Sequence, residues 1–443
     1  MNPALPQTGN KPSDKNNFGP RIGFAFDLTG DGKSSLRGGY GIYYGRINGT
    51  IIINSLINTG LSTGQAVSSV PAACPATGAG TVCPTTPSIP LGNPAAPIFP
   101  NILTTAPAGT AGVNYFRAGF QNPLIHQGDV IVEREVARNT VVSASYLFSF
   151  GNHLTTFVDT NLNPPTGTNR ISILDGPFAG NTWVFPYYQG PRKNTSFGNI
   201  LEIRDSVSTK YHALVLQANR RLTNGLQFQS SYTLSRAQDN GGAQSSATFT
   251  PGFSALFDPL DPSGDDGLSP FDRRHKFVAS VVYNTDFKSL DGASKAILNG
   301  WTISPIVNMF SGFRYTAVTN GFSLPTAVFG QTPAGGVNGS NGSLRFGLTP
   351  NNAFHSPSIK YVDLRVSRRF TIKENAKIEV LAEGFNIFNR TQVTGVNNRM
   401  YVVSTSGTSV NATFDPTFGT PSDLSNGFFF RERQVQLAVR FEF

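Results

Sequence analysis

Five histidines, His126, His153, His212, His275 and His355, are the first places to look for chemistry. None has another histidine three or four residues away or a cysteine nearby, so no zinc-ligand spacing forms. His275, inside Phe-Asp-Arg-Arg-His-Lys, reads as part of a charged rim where a long loop re-enters a sheet. The stretch Asp258-Pro-Leu-Asp-Pro-Ser-Gly-Asp-Asp-Gly267 gathers Asp258, Asp261, Asp265 and Asp266. Hard oxygen donors of that kind suit Ca²⁺, but the spacing is not that of an EF-hand loop, and a solvated external loop is the default. Cys74 and Cys83 lie in a Gly/Pro/Thr-rich stretch. They are either a disulfide closing a small loop in an oxidising compartment or two unrelated thiols. No nucleophile elbow, phosphate-binding loop or dinucleotide fingerprint occurs. The chain reads as a non-enzyme with no cofactor and no metal.

Composition says what kind of scaffold carries these residues. The 443-residue chain has 46 glycines, 30 prolines and 35 phenylalanines, with only 14% charged residues. Soluble domains average roughly 25% charged. Abundant aromatics with few charges disfavour disorder, and the shortage of helix formers disfavours bundles and coiled coils. The net charge of +9 is scattered, with pairs such as Arg220-Arg221, Arg273-Arg274 and Arg368-Arg369 but no basic run, so nucleic acid is not an expected partner. No apolar run is long enough for a membrane helix. A β-strand crosses with about 9–11 alternating residues and escapes that test. Met1 to Asn17 is polar and Pro-rich without an apolar core, so it is not a signal peptide, and an exported chain would then be a fragment.

Period-two alternation recurs in pairs. Ile22, Phe24, Phe26 and Leu28 turn at Thr29–Lys33 into Leu36, Tyr40, Ile42 and Tyr44. Val130, Val132, Arg134 and Val136 turn at Ala137–Thr140 into Val142, Ala144, Tyr146 and Phe148. Leu214, Leu216 and Ala218 turn at Leu222–Gly225 into Leu226, Phe228, Ser230, Tyr232 and Leu234. Phe277, Ala279, Val281 and Tyr283 pass through a looser link, Asn284–Asn299, to Trp301, Ile303, Pro305, Val307 and Met309. Val362, Leu364 and Val366 turn at Thr371–Ala376 into Ile378, Val380 and Ala382, and a last strand carries Val435, Leu437, Val439, Phe441 and Phe443. Gly30 and Gly32 supply the positive φ of a tight hairpin. Gly39, Gly41 and Gly45 fit a face packed closely or a bent sheet. Eleven strands result. Between the pairs lie long Gly/Pro/Asn/Ser/Thr-rich segments, 45–127, 150–208, 238–273, 313–358 and 389–431, which read as structureless loops. Short turns on one side and long loops on the other suit an antiparallel transmembrane β-barrel with periplasmic turns and extracellular loops. Gln227, Gln229, Ser231, Thr233 and Arg365 would then face a wet lumen.

The terminal residues Gln436, Ala438, Phe441 and Phe443 form a polar-x-small-x-x-aromatic-x-aromatic pattern. It resembles the signal by which the barrel-assembly machinery recognises outer-membrane proteins. With it go Asn17-Phe-Gly-Pro-Arg-Ile-Gly-Phe-Ala-Phe26, Ser35-Leu-Arg-Gly-Gly-Tyr-Gly-Ile-Tyr-Tyr44, Phe271-Asp-Arg-Arg-His-Lys-Phe-Val-Ala279 and Ala382-Glu-Gly-Phe-Asn-Ile-Phe-Asn389. Together these resemble the barrel of TonB-dependent outer-membrane receptors, in particular Oar-like proteins with a carboxypeptidase-regulatory-like domain. The resemblance implies a C-terminal portion, about eleven of about 22 strands: a polar segment at 1–18, the end of an external loop, and a partial barrel at 19–443. It implies outer-membrane lipid and the assembly machinery as partners, contact with TonB only through an N-terminal part not seen here, and import of an unknown large solute. A rival expectation is a surface adhesion or structural protein without transport.

Overall fold

The computed structural model describes residues 1–61, 111–165, 167–188, 190–241, 256–320, 337–340, 344–373, 376–406, 409–424 and 432–443. Cys74 and Cys83 lie outside them.

One antiparallel sheet dominates. Its path, in chain order, is β1 (Arg21–Asp27), β2 (Ser34–Tyr44), β3 (Leu124–Ala137), β4 (Thr140–Asp159), β5 (Phe197–Thr223), β6 (Leu226–Asp239), β7 (His275–Asn284), β8 (Trp301–Phe310), β9 (Ile359–Lys373), β10 (Ala376–Phe385) and β11 (Gln434–Glu442). Each strand expected from the alternation falls on this path. Turn chemistry fixes the register. The Asp27 carboxylate accepts from the amides of Thr29, Gly30 and Gly32, and both glycines have φ near 70°. Asn224 and Gly225 are both at positive φ, the combination a two-residue hairpin turn demands. Among the described residues β1 pairs only with β2, and β11 only with β10.

Strand parity gives the sheet two unlike faces. Leu36, Val132, Ala144, Leu216 and Tyr232 are aligned across five strands on one face. Large apolar side chains there are open to the surroundings, with Leu437 77% and Ile22 74% exposed. The opposite face carries Gln217, Gln229 and Ser280 and the charged residues described below. Two close glycine contacts are on the apolar face: a Cβ at Gly38 or Gly128 would lie 2.7 or 2.6 Å from the ring of Phe24 or Phe148. The sequence directs attention instead to Gly39 and Gly41, where the added atom would have 3.6 and 3.0 Å.

The strands outrun the expected lengths, and the long connections are not structureless. β4 continues through Asp159 and β5 begins at Phe197, so much of 150–208 is sheet. The segment 45–127 contains a helix, Gly49–Ile57, with Asn48 accepting from the Thr50 amide at its start. It also contains a strand, Ala111–Phe116, parallel to the outer part of β5. Leu5 packs there with Val113, Tyr115, Phe197 and Ile200. The link 284–299 holds a short helix, Gly292–Leu298. A second sheet runs in the order Val318–Thr319, Arg399–Ser406, Ser409–Phe414, Gly167–Ile173, Thr182–Tyr187. Its strands come from three different connections, which two parallel pairings join. Composition alone hid this, because each short strand acquires its partner only from a distant connection.

Candidate functional site: the inner face and the loop layer

The inner face carries a charge ladder across β9, β10 and β11. Arg365 Nη lies 3.5 Å from both Glu379 and Glu383. Arg440 reaches Glu379 at 3.6 Å, and Arg369 reaches Glu442 at 3.3 Å. The register places Arg365 opposite Glu383 and Glu379 opposite both Arg369 and Arg440. Glu379, 8% exposed, is therefore enclosed by three guanidinium groups. Farther round the sheet, Arg37 on β2 donates to Glu133 on β3 at 2.7 Å. Arg365 was legible in the sequence as inward-facing; its partners were not, because pairing needs the register.

Above the sheet, four connections fold onto one core. Ile171, Ile173, Trp183, Phe185 and Tyr187 come from the β4–β5 connection, Phe257 from β6–β7, Ala317, Val337 and Phe346 from β8–β9, and Met400, Tyr401, Val403, Val410 and Ala412 from β10–β11. Trp183 rests 5.1 Å from Phe346 edge-on, and Phe346 lies 4.7 Å from Tyr401. Buried polar contacts tie the connections together. Tyr188 donates to Asp258, and the Tyr188 amide to Asn338. Asn338 Nδ2 donates to the Phe257 carbonyl at 2.6 Å. Burial and the Asp258 carboxylate push the Tyr188 phenol far above its ordinary value. The Tyr401 hydroxyl accepts from the Phe178 amide and donates to the Asp175 carbonyl.

The acidic stretch proves to be structural. Asp265, 1% exposed, accepts from the Phe257 amide and faces Arg345 at 3.8 Å. Burial raises its pKa while Arg345 opposes the shift. Asp258 accepts from the amides of Leu260 and Asp261, and Asp261 from Ser263. Asp272 holds Arg314 at 2.9 Å, pinning the point where the chain returns to β7. Among the described residues no group of three or more metal-binding side chains occurs.

The histidines have partners that sequence alone did not reveal. His126, His212 and His275 each hydrogen-bond a tyrosine on the neighbouring strand, all on the outer face. His153 stands 3.6 Å from Asp205, and His355 Nδ1 lies 3.1 Å from the Ser356 carbonyl. At the sheet edge, Gln436 is opposite Glu383 and Ala438 opposite Leu381. Phe441 is on the outer face opposite Ile378, and Phe443 is fully exposed.

Taken together, the strands, faces and connections have the construction of a membrane barrel domain. The profile of the outer membrane beta barrel domain family matches residues 3–436, and the chain belongs to that family. It is a protein of the outer membrane. No described helix is long and apolar enough to cross a membrane, which says nothing of strands. No curated protein matches the chain. Solved structures similar to it include the outer membrane transporter YddB from Escherichia coli, at 11% identity, TM-score 0.48, covering 96% of this chain and 40% of that one. The ferripyoverdine receptor of Pseudomonas aeruginosa aligns at 11% identity and TM-score 0.43, covering 96% and 33%. The FrpB iron transporter from Neisseria meningitidis aligns at 10% identity and TM-score 0.40, covering 96% and 39%. The chain thus spans 40% or less of the length of these structures.

Proposed function

We propose that the chain is the C-terminal part of a TonB-dependent, Oar-like receptor barrel. In the complete protein it binds a large solute through its external loops and takes part in importing it. The observation that carries this reading is the shared loop layer. The connections β4–β5, β6–β7, β8–β9 and β10–β11 converge on a single core at one end of the sheet, leaving the shorter links at the other. A layer so built can hold a fixed binding surface over a lumen. The inner charge ladder offers Arg and carboxylate groups to a polar solute or to a domain filling the lumen.

The edges of the sheet support the partial-barrel reading. An open sheet leaves two rows of unpaired backbone groups, which hydrocarbon does not tolerate. The eleven strands, residues 19–443, would be closed by about as many more supplied upstream. Residues 1–18 would be the end of an external loop. Gln436, Ala438, Phe441 and Phe443 would be the edge that the barrel-assembly machinery recognises. TonB contact would come from a preceding plug region, and no enzymatic role is assigned.

The test uses the native locus. Cells deleted for the whole reading frame are compared with wild type for uptake of labelled ferric chelates, oligosaccharides and peptides. A defect reproduced by loss of TonB supports import. A surface-attachment defect that is indifferent to TonB and to the proton-motive force overturns it in favour of the adhesion reading.

A further inference from the structure

The three tyrosine–histidine pairs repeat one geometry. Tyr40 on β2 meets His126 on β3, with Oη to Nδ1 at 2.6 Å; Tyr146 on β4 meets His212 on β5 at 2.7 Å; Tyr232 on β6 meets His275 on β7 at 2.8 Å. Ring centroids are 6.1, 6.1 and 6.2 Å apart, with interplanar angles of 27°, 28° and 26°. In every case the histidine is opposite the residue two beyond the tyrosine: Ile42, Phe148 and Leu234. Every tyrosine is also six residues beyond the first residue of its strand, Ser34, Thr140 or Leu226.

That constancy places the pairs on a ring. Across the register Tyr40 aligns with Gly128 and Phe148, so the next tyrosine, Tyr146, is two residues nearer the turns. Tyr146 aligns with Leu214 and Leu234, and Tyr232 is again two residues nearer. Two interstrand steps are about 9.6 Å and two residues along a strand about 6.8 Å. These displacements cancel in height at a strand tilt of about 35°, within the range of outer-membrane barrels. Six to eight residues of tilted strand rise about 17–22 Å, toward the outer edge of an apolar band about 25 Å tall.

The ring has a consistent charge. Between the turns and the ring, the outer face of the described strands carries no Asp or Glu. At its level or just above are Arg236 opposite His212, Lys210 opposite Phe150, and Lys360 opposite Met309. All three are exposed. Lys360 stands where the next hairpin would place its histidine, since Met309 is eight residues beyond Trp301 as Leu234 is beyond Leu226. No described protein group bonds the Nε2 atoms of the three rings.

We infer that this ring is a lipid-recognition belt that binds phosphate-bearing headgroups of the outer leaflet. Taking the tyrosine hydroxyl as the donor to Nδ1 puts the proton of the neutral imidazole on Nε2, and protonation leaves Nε2–H in place. In that tautomer each pair presents a donor at the headgroup boundary, and Lys210, Arg236 and Lys360 supply the positive charge. The inference rests on the outer face being the lipid face, not on what the complete receptor carries.

The test is lipid retention by the full chain, purified in detergent from outer membranes and analysed by native mass spectrometry. The probes are a hexa-acylated diglucosamine lipid bearing two phosphates and the same lipid after phosphatase treatment. Wild type is expected to favour the phosphorylated form by at least about tenfold, the effect of one charge-assisted hydrogen bond. The H126F/H212F/H275F variant, which keeps the rings and loses the donors, is expected to bring the ratio near one. Equal retention of the two lipids by wild type overturns the inference without any variant. So does an unchanged ratio in the triple variant or, should that variant not assemble, in each of the three single variants. Absence of the chain from the outer-membrane fraction would instead strike at the barrel reading itself.

Discussion

The sheet and the loop layer are both β-structure, yet they obey opposite solvents. In the sheet, apolar side chains such as Ile22, Leu437 and Phe441 are exposed, and Arg365, Glu379 and Glu383 face inward. In the loop layer, Ile171, Phe346, Tyr401 and Ala412 have no exposure at all, and charge is kept in a few enclosed pairs. The sheet's outer face exchanges chain contacts for lipid contacts, so it needs only parity. The loop layer stands in water and must bury its own core as a soluble domain does. The chain's two tryptophans fall one in each region, Trp183 in the core of the layer and Trp301 at the turn end of β8. W301F and W183F backgrounds therefore let fluorescence follow each region alone in detergent-solubilised protein.

The largest effect should come from breaking an enclosed ion pair in the loop layer. Asp265→Ala leaves Arg345, 4% exposed, without its carboxylate, and a guanidinium cannot shed its charge. The expected loss is about 3–5 kcal/mol in the Trp183 unfolding signal, with the Trp301 signal unmoved. Arg345→Met should cost less. Burial already raises the pKa of Asp265, and the carboxyl can take up a proton once Arg345 is gone. Equal losses from the two substitutions would mean that the pair is not enclosed as described.

Next in size is a test of parity. Leu216 is on the outer face opposite Ala144 and Tyr232, and Gln217 on the inner face opposite Ser143 and Ser231. Leu216→Arg should cost about 2–4 kcal/mol, read as lost outer-membrane assembly, while Gln217→Arg should leave assembly unchanged. If neighbouring positions responded alike, the two faces would not meet different solvents.

Parity also explains what could be read before the structure. A strand between lipid and lumen writes its environment into every second residue, so Ile22, Val130, Leu216 and Val439 marked their strands without any partner being known. The loop layer leaves no such trace. Ile171 and Ile173 alternate over only a few residues, and their neighbours Ala412 and Val410 lie far along the chain. The same reason hid the charge ladder and the Tyr–His pairs. Each residue was visible, but its partner depended on a register set by turns such as Asn224-Gly225.

A smaller effect is expected at Tyr401, whose ring lies in the apolar core while its hydroxyl bridges the Phe178 amide and the Asp175 carbonyl. Tyr401→Phe keeps the ring and should cost about 1 kcal/mol in the Trp183 signal. A loss as large as that of Asp265→Ala would mean that the layer depends on its polar ties more than on its core.

The smallest effect should be a pH dependence at the rim of the layer. The Thr417 hydroxyl and amide, and then Arg399 at 2.8 Å, hold the Asp415 carboxyl down to about 2. A carboxylate depressed in the folded state adds stability above its ordinary pKa of about 4. That contribution disappears as pH falls toward the folded value. Arg399 is half exposed, so the ion-pair share is about 0–1 kcal/mol. Asp415→Asn should accordingly destabilise the layer slightly at pH 7, and the gap from wild type should close between about pH 4 and pH 2. The Trp301 signal should show no such convergence, because the sheet does not use this carboxylate. A gap that stayed constant to pH 2 would show that asparagine fails through its shape, and that charge at this rim does not stabilise the layer.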